Sequence, residues 1–120
     1  MTSLLEPVLK KFNGNAGVVG SLVCTRDGML IESSLSERFN DELISALVSS
    51  VCLVIDSVCL NLECSGFLNY RVSASSGDMI IVDLGRSIFV AILSNTAELS
   101  LINVALYQVT AELKKQASLG

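Results

Sequence analysis

The fold of this 120-residue chain depends on the stretch LISALVSSVCLVIDSVCLNL, residues 43–62, in which Asp56 is the only charged residue. Twenty residues of α-helix extend about 30 Å, which is also the thickness of the hydrocarbon core of a bilayer. The stretch therefore has two interpretations, a membrane-spanning helix or a long helix of a globular domain. The rest of the sequence decides between them.

The sequence around this stretch argues against a membrane-spanning helix. A charged side chain in the middle of a span, here Asp56, costs about 2.5–3.5 kcal/mol on insertion scales. No aromatic belt borders the stretch, and the acidic residues Asp41, Glu42 and Glu63 flank it where a basic cluster is expected. The N-terminal sequence MTSLLEPVLKKF also lacks the basic and apolar regions of a secretory signal. We therefore predict a cytoplasmic protein without a membrane span, whose cysteines are reduced thiols.

The composition is typical of a globular domain that hides part of its surface. Charged residues make up 17% of the chain, against about 25% in an average soluble domain. The length predicts one domain, residues 1–120. The net charge is −4, and the basic residues form no stripe interleaved with aromatic residues, so we do not expect nucleic-acid binding. The scarcity of charge instead predicts that a partner subunit covers part of the surface.

Local signals in the first third of the chain predict a helix followed by a hairpin. Apolar residues at helical spacing indicate a short helix over residues 2–12, with Ser3 as its N-cap and Gly14 as its C-cap. Two strand-like runs, 18–25 and 29–32, then flank the sequence RDG. An Asp-Gly pair between such runs is a strong hairpin signal because both residues tolerate positive φ.

Three more strands and a final helix follow the long helix. The strands are predicted over residues 67–75, 79–85 and 87–94, with a tight turn at residues 76–78. Asn95 or Thr96 is the predicted cap of the last helix. Its apolar stripe comprises Leu99, Ile102, Leu106, Val109 and Leu113. The order αββαβββα with hairpin connections predicts an α+β fold, with helices packed on the faces of a five-stranded antiparallel sheet.

Helical periodicity divides the long helix, predicted over residues 41–63, into three faces. The first is large and branched and is expected to pack on the sheet: Ile44, Leu47, Val48, Val51, Ile55, Val58 and Leu62. The second is small and weakly polar: Ser45, Ser49, Cys52, Asp56, Cys59 and Glu63. The third comprises Ala46, Ser50, Leu53, Ser57 and Leu60. Small residues let another helix approach closely, so a second copy of this helix is expected to cover these last two faces about a two-fold axis.

The residues that usually carry catalysis are scarce. The chain has no histidine, which removes the commonest general base and metal ligand. Its cysteines, at positions 24, 52, 59 and 64, form no C-x-x-C pair, and NGNAGVVG lacks the G-K-[S/T] ending of a phosphate-binding loop. Asp83, inside the apolar run MIIVDLG, is interpreted as a charge that guards a strand edge. We assign no catalytic residue, cofactor or metal ligand.

Three segments together resemble the Roadblock family: the hairpin GSLVCTRDGMLIES, the long near-uncharged helix, and MIIVDLG followed by SIFVAILSN. The resemblance extends from Leu4 to about Lys115. The family includes the dynein light chains of that name, small subunits of lysosomal scaffold complexes and prokaryotic regulators of the MglB type. It implies a sheet between helix layers, with the long second helix on one side and the first and last helices on the other.

The resemblance also implies a homodimer. In this arrangement the strand at about residues 66–75 pairs edge to edge with its symmetry mate, beside the two long helices, residues 41–63. Together with the helix faces, this predicts an interface of nine residues: Ser45, Ser49, Cys52, Leu53, Asp56, Leu60, Phe67, Asn69 and Arg71.

The function implied by the resemblance is to bind a Ras-like small GTPase or to scaffold complexes that hold one. MglB-type members act as GTPase-activating partners, and such a partner can work by ordering the switch residues of the GTPase. Arg38, Arg71 and Arg86 are candidates for an inserted arginine, although such residues more often solvate turns and strand ends. The expected protein is a non-enzymatic homodimer that regulates or scaffolds a Ras-like GTPase.

Two other functions stay open from the sequence. One is a small-molecule sensor of profilin, PAS or GAF shape, which needs an apolar pocket with a few convergent polar groups. The scarcity of aromatic residues and the missing histidine count against it. The other is a purely structural light-chain adaptor, which a neighbouring GTPase gene would disfavour.

Overall fold

A computed structural model of the chain describes residues 4–64 and 68–119, with side chains described up to residue 116. The elements in chain order are α1 (Glu6–Asn13), β1 (Val18–Thr25), β2 (Leu30–Ser34), α2 (Asp41–Asn61), β3 (Asn69–Ala74), β4 (Gly77–Asp83), β5 (Ser87–Ser94) and α3 (Leu99–Leu119). The predicted order αββαβββα is confirmed.

The two long helices begin differently from one another. At α2 the side chain of Asn40 accepts a hydrogen bond from the Leu43 N–H at 3.0 Å, and acidic residues follow at the positive end of the helix dipole. The predicted caps of α3 were wrong, because that helix starts at Leu99 and the hydroxyl of Thr96 lies 2.8 Å from that of Ser94. The predicted N-cap of α1, Ser3, lies outside the described residues, and α1 begins later than predicted, after Leu5, which makes no side-chain cap hydrogen bond. The predicted C-cap, Gly14, is confirmed.

The five strands form one antiparallel sheet in the order β2-β1-β5-β4-β3. The hairpin turn contains Gly28 at φ 95°, as the Asp-Gly pair predicts. The predicted turn at residues 76–78 is shifted, since β4 already includes Gly77 and Asp78. Because β4 lies inside the sheet, the prediction that Asp83 guards an edge was wrong. The two edges are β2 and β3.

Alternation along the strands creates two cores, one on each side of the sheet. The core under α1 and α3 contains buried residues of both helices and of the sheet, among them Leu9, Phe12, Val23, Phe89, Ile102, Val109 and Leu113. The core under α2 contains Leu22, Cys24, Val48, Cys52, Ile81, Ile88 and Val90. The predicted layers are therefore confirmed, with α2 on one side and the other two helices opposite.

The predicted orientation of α2 was largely wrong. The residues that it buries are Ser45, Val48, Ser49 and Cys52. Of the large branched face, Val48 is buried and Ile44 and Ile55 pack against the core. The other members of that face are exposed: Leu47, Val51, Val58 and Leu62.

A close contact with the hairpin explains this orientation. The Ser49 hydroxyl donates a hydrogen bond to the carbonyl of Arg26 at 2.6 Å. A Cβ at Gly28 would lie only 3.2 Å from the Cβ of Ser49 and 3.3 Å from the Cα of Ala46. Small side chains do permit a close approach, as the sequence indicated, but the neighbour is the protein's own hairpin.

By length and composition α2 qualifies as a membrane span, although one such helix is weak evidence for a membrane protein. Only 22% of its apolar window is buried inside the domain. The helix therefore presents most of its aliphatic residues outward.

Candidate functional site

The candidate site is the α2 outer face, which we define by its exposed aliphatic side chains: Leu43, Leu47, Val51, Leu53, Val54, Val58, Leu60 and Leu62. Their exposed fractions range from 39% for Val51 to 78% for Leu60. An exposed apolar surface formed by eight large side chains marks an interaction site or a ligand groove. Because the α2 outer face extends along a helix of 21 residues, it suits a protein partner.

The α2 outer face has two flanks. Ala46 lies against the β1–β2 turn, and Leu53 and Leu60 follow it at intervals of seven residues on the same side of the helix. We call this side the hairpin flank. Val51 and Val58 lie on the opposite side, which the sheet order places toward β3, and we call it the β3 flank.

The edge strand β3 continues the β3 flank. The hydroxyl of Tyr70 lies 4.0 Å from the Sγ of Cys52, so β3 contacts α2 at this point. Val72 lies two residues further along the same face of the strand and is exposed. The other side chains of β3 are also exposed, with only Tyr70 half-buried. An aliphatic surface thus passes from the helix onto an open sheet edge.

A charge network joins α2 to the end of the sheet that carries the β1–β2 and β4–β5 turns. Arg26, in the β1–β2 turn, donates to the Gly85 carbonyl through Nε at 3.0 Å. Its Nη1 lies 3.3 Å from Asp56 Oδ2 and its Nη2 lies 2.8 Å from Asp83 Oδ2. The other oxygen of Asp83 accepts the Gly85 N–H at 2.9 Å. Asp56 and Asp83 therefore share one structural role, which is to bind the arginine that connects three elements.

Replacing Arg26 by alanine is expected to lower the free energy of unfolding by about 1–2 kcal/mol, because two carboxylates and a carbonyl lose their common donor. The value is modest because the Arg26 and Asp56 side chains are each 37% exposed and solvent screens the pair. Urea unfolding in low and high salt measures the effect, which should shrink in high salt. Arg86→Ala, in the exposed β4–β5 turn, is the control and should cost less than about 0.5 kcal/mol. Equal losses for the two variants would contradict the proposed role of Arg26.

The buried thiols are suited to packing. Burial raises the pKa of Cys24 to about 11, with a smaller contribution from Cys52. Burial likewise raises the pKa values of the Cys52 thiol and the Tyr70 hydroxyl. These groups are neutral near pH 7, and a thiol nucleophile would need the opposite shift. Within residues 4–64 and 68–119, no group of three or more cysteine, aspartate or glutamate side chains could hold a metal ion.

Four of the predicted interface residues face the protein's own domain. Ser45, Ser49 and Cys52 are buried beneath α2, so placing them on its outer face was wrong. The hydroxyl of Ser45 donates to the Asp41 carbonyl at 2.9 Å, within the helix. Asp56 is half-buried and binds Arg26.

The other predicted interface residues divide between the helix and the sheet edge. Leu53 and Leu60 are strongly exposed on the hairpin flank. Asn69 and Arg71 are exposed on β3, where Arg71 forms an ion pair with Asp78 of β4. Phe67 lies outside the described residues. Of the eight predicted residues that the structure describes, four are thus available to a partner.

Sequence reasoning missed the β3 flank and Val54, which belongs to none of the three predicted faces. The signal was present, because a helix with aliphatic residues around most of its circumference cannot bury all of them on one sheet. Gly28 was a second signal, since a glycine often marks the point where another backbone approaches. It indicated that small residues of α2 would face the turn.

Comparison with known families and proteins agrees with this fold. A family model described as Roadblock/LC7 domain matches residues 4–94. Among curated proteins, the uncharacterized protein MJ0714 of Methanocaldococcus jannaschii is 27% identical over 112 residues, which cover 93% of this chain and 95% of the relative.

Solved structures share the architecture at low sequence identity. Myxococcus xanthus MglB superposes with a TM-score of 0.89 at 16% identity, covering 96% of this chain and 91% of that chain. A structure described as MglB with tetrameric arrangement superposes with a TM-score of 0.83 at 15% identity, covering 93% and 86% of the two chains. Similarity at these identities shows a common fold.

Proposed function

This chain belongs to the Roadblock/LC7 family, and on that premise we propose that it is a homodimeric, non-enzymatic regulator or scaffold of a Ras-like small GTPase. The observation that carries the proposal is the α2 outer face, an aliphatic helix surface on a fold shared with MglB. Prokaryotic proteins of the MglB type act on such GTPases, as the family resemblance implies. The structure described as MglB with tetrameric arrangement is a case in which this fold associates with itself.

We assign the dimer contact to the β3 flank and the β3 edge. An open strand edge is an aggregation hazard, and pairing with a symmetry mate removes it. Asn69 and Arg71 would then lie at the strand junction, and Val51 and Val58 would pack against their symmetry mates. The ion pair between Arg71 and Asp78 neutralises the charge nearest to this junction.

We assign the GTPase contact to the hairpin flank. Leu53 and Leu60 are exposed there in the single chain, and the proposed dimer contact does not use them. Of the three candidate arginines, Arg71 is bound by Asp78 of its own domain, which disfavours its insertion, whereas Arg38 and Arg86 are exposed. The proposed action is to hold the switch segments of the GTPase in an ordered state, which requires no inserted arginine.

The proposal is tested by mixing the purified protein with each GTP-loaded Ras-like GTPase encoded in the same genome. We expect binding to at least one of them, and Leu53→Asp should weaken that binding at least tenfold because it places a charge in the contact. Asn103→Asp, on the opposite side of the sheet, is the control and should bind as the wild type does. Titration calorimetry and phosphate release report binding and stimulation. Absence of both across the whole set would refute the proposal.

A further inference from the structure

The protein has a second uncharged helix surface, on the side of the sheet opposite α2. The segment of α3 from Leu99 to Ala111 contains no charged residue. Ile102, Val109 and Leu113 of the predicted stripe are buried, while Leu99 is exposed. A separate set of α3 side chains points outward, namely Leu101, Val104 and Tyr107, of which Tyr107 is 80% exposed. We call this set the α3 outer face.

A groove lies beside the α3 outer face, between α3 and α1. Its volume is about 830 Å³, and its apolar lining includes Val8 and Phe12 from α1 and Ala105 and Val109 from α3. Tyr107 also lines it. A strongly exposed aromatic ring next to a groove with a mixed apolar and polar lining is a projection beside a recess, which is the shape that a self-complementary surface requires.

The charges at the groove are also self-complementary. Lys11 lies on the α1 wall and Glu112 on the α3 wall, with the uncharged segment of α3 between Glu98 and Glu112. A two-fold axis running along the groove sets α3 of each copy over α1 of the other. Lys11 of each copy then lies opposite Glu112 of the partner subunit, which gives two opposite-charge pairs around an apolar centre.

We propose that the α3 outer face and the groove form an interface between two copies of this chain. Tyr107 of each copy occupies the groove of the other, and the Lys11–Glu112 pairs set the register. This interface is separate from the α2 contact, so two α2-paired dimers joined through it form a four-chain assembly. The expected count of four chains rests on the dimer proposed above. The α3 contact itself does not depend on that dimer.

The test is sedimentation velocity over a concentration series. The wild type is expected to reach four chains, and Tyr107→Glu is expected to stop at two, because the substitution buries an unpaired charge in the groove. Asn103→Glu is the matched control, since it adds the same charge at an exposed α3 position outside the α3 outer face. It should assemble as the wild type does.

Charge reversal tests the register. Lys11→Glu alone is expected to raise the dimer–tetramer dissociation constant at least tenfold, and Lys11→Glu combined with Glu112→Lys is expected to restore it. A double variant no better than the single one would overturn the assigned pairing.

The α3 contact and the α2 contact fail in distinguishable ways. A two-chain species that Val58→Asp dissociates and Tyr107→Glu leaves intact would overturn the α3 interface and keep the proposed dimer. A two-chain species that Tyr107→Glu dissociates and Val58→Asp leaves intact would support the α3 interface and refute the α2 dimer.

Discussion

Replacing Val58 by aspartate is expected to abolish pairing through α2 while leaving the domain folded. Val58 is 47% exposed in the single chain, so the change costs little there, under about 1 kcal/mol for helix propensity and for a negative charge in the last turns. In the proposed dimer the same carboxylate is buried without a partner. That costs about 3–5 kcal/mol, and the dissociation constant should rise by about a hundredfold or more.

The measurement is sedimentation in the Tyr107→Glu background, where the expected change is from two chains to one. Ile31→Asp is the matched control, because Ile31 has a similar exposure, 44%, on β2 at the opposite edge of the sheet. Circular dichroism checks that both variants are folded. An unchanged two-chain species in the Val58→Asp variant would show that the β3 flank of α2 is not the interface.

Replacing Ser49 by lysine is expected to destabilise the domain strongly. Ser49 is 6% exposed, and its hydroxyl donates to the Arg26 carbonyl. A lysine at this position must either bury its ammonium group or push α2 away from the hairpin, at a cost of about 3–5 kcal/mol. This is a large part of the roughly 5–15 kcal/mol that stabilises a typical domain.

Urea unfolding of two companion variants separates the causes. Ser49→Ala loses only the hydrogen bond and should cost about 1 kcal/mol. Ser50→Lys adds the same charge one residue further along, where the side chain is exposed, and should change stability by less than about 0.5 kcal/mol. If Ser49→Lys were as stable as Ser50→Lys, the small face of α2 would not pack on the sheet.

These two variants address the point where sequence and structure differ most. Sequence reasoning placed Ser49 at a dimer interface and Val58 against the sheet, whereas the structure buries Ser49 and exposes Val58. Charged residues normally mark the outward side of a helix, and α2 has almost none to do so. With aliphatic residues on most sides, periodicity alone left the orientation of the helix undecided.

Residues far apart in the sequence were harder to interpret. Asp56 and Asp83 each looked isolated in an apolar run, and Arg26 looked like an ordinary turn residue. Arg26 is 30 residues from Asp56 and 59 from Gly85, and only the folded chain brings them together. The exposed apolar side chains of α3 were missed because the predicted apolar stripe was enough to explain how that helix packs on the sheet.

The sequence by itself determined the order of helices and strands, the hairpin at Gly28 and the family. Each of these follows from short-range signals, such as turn residues, caps and strand-like runs, that act within a few residues of the chain. Only the tertiary structure decided which face of α2 meets the sheet, what binds Asp56, and which surfaces are left for partners. These depend on how closely one backbone approaches another, and at α2 a glycine in the hairpin and two serines in the helix set that distance.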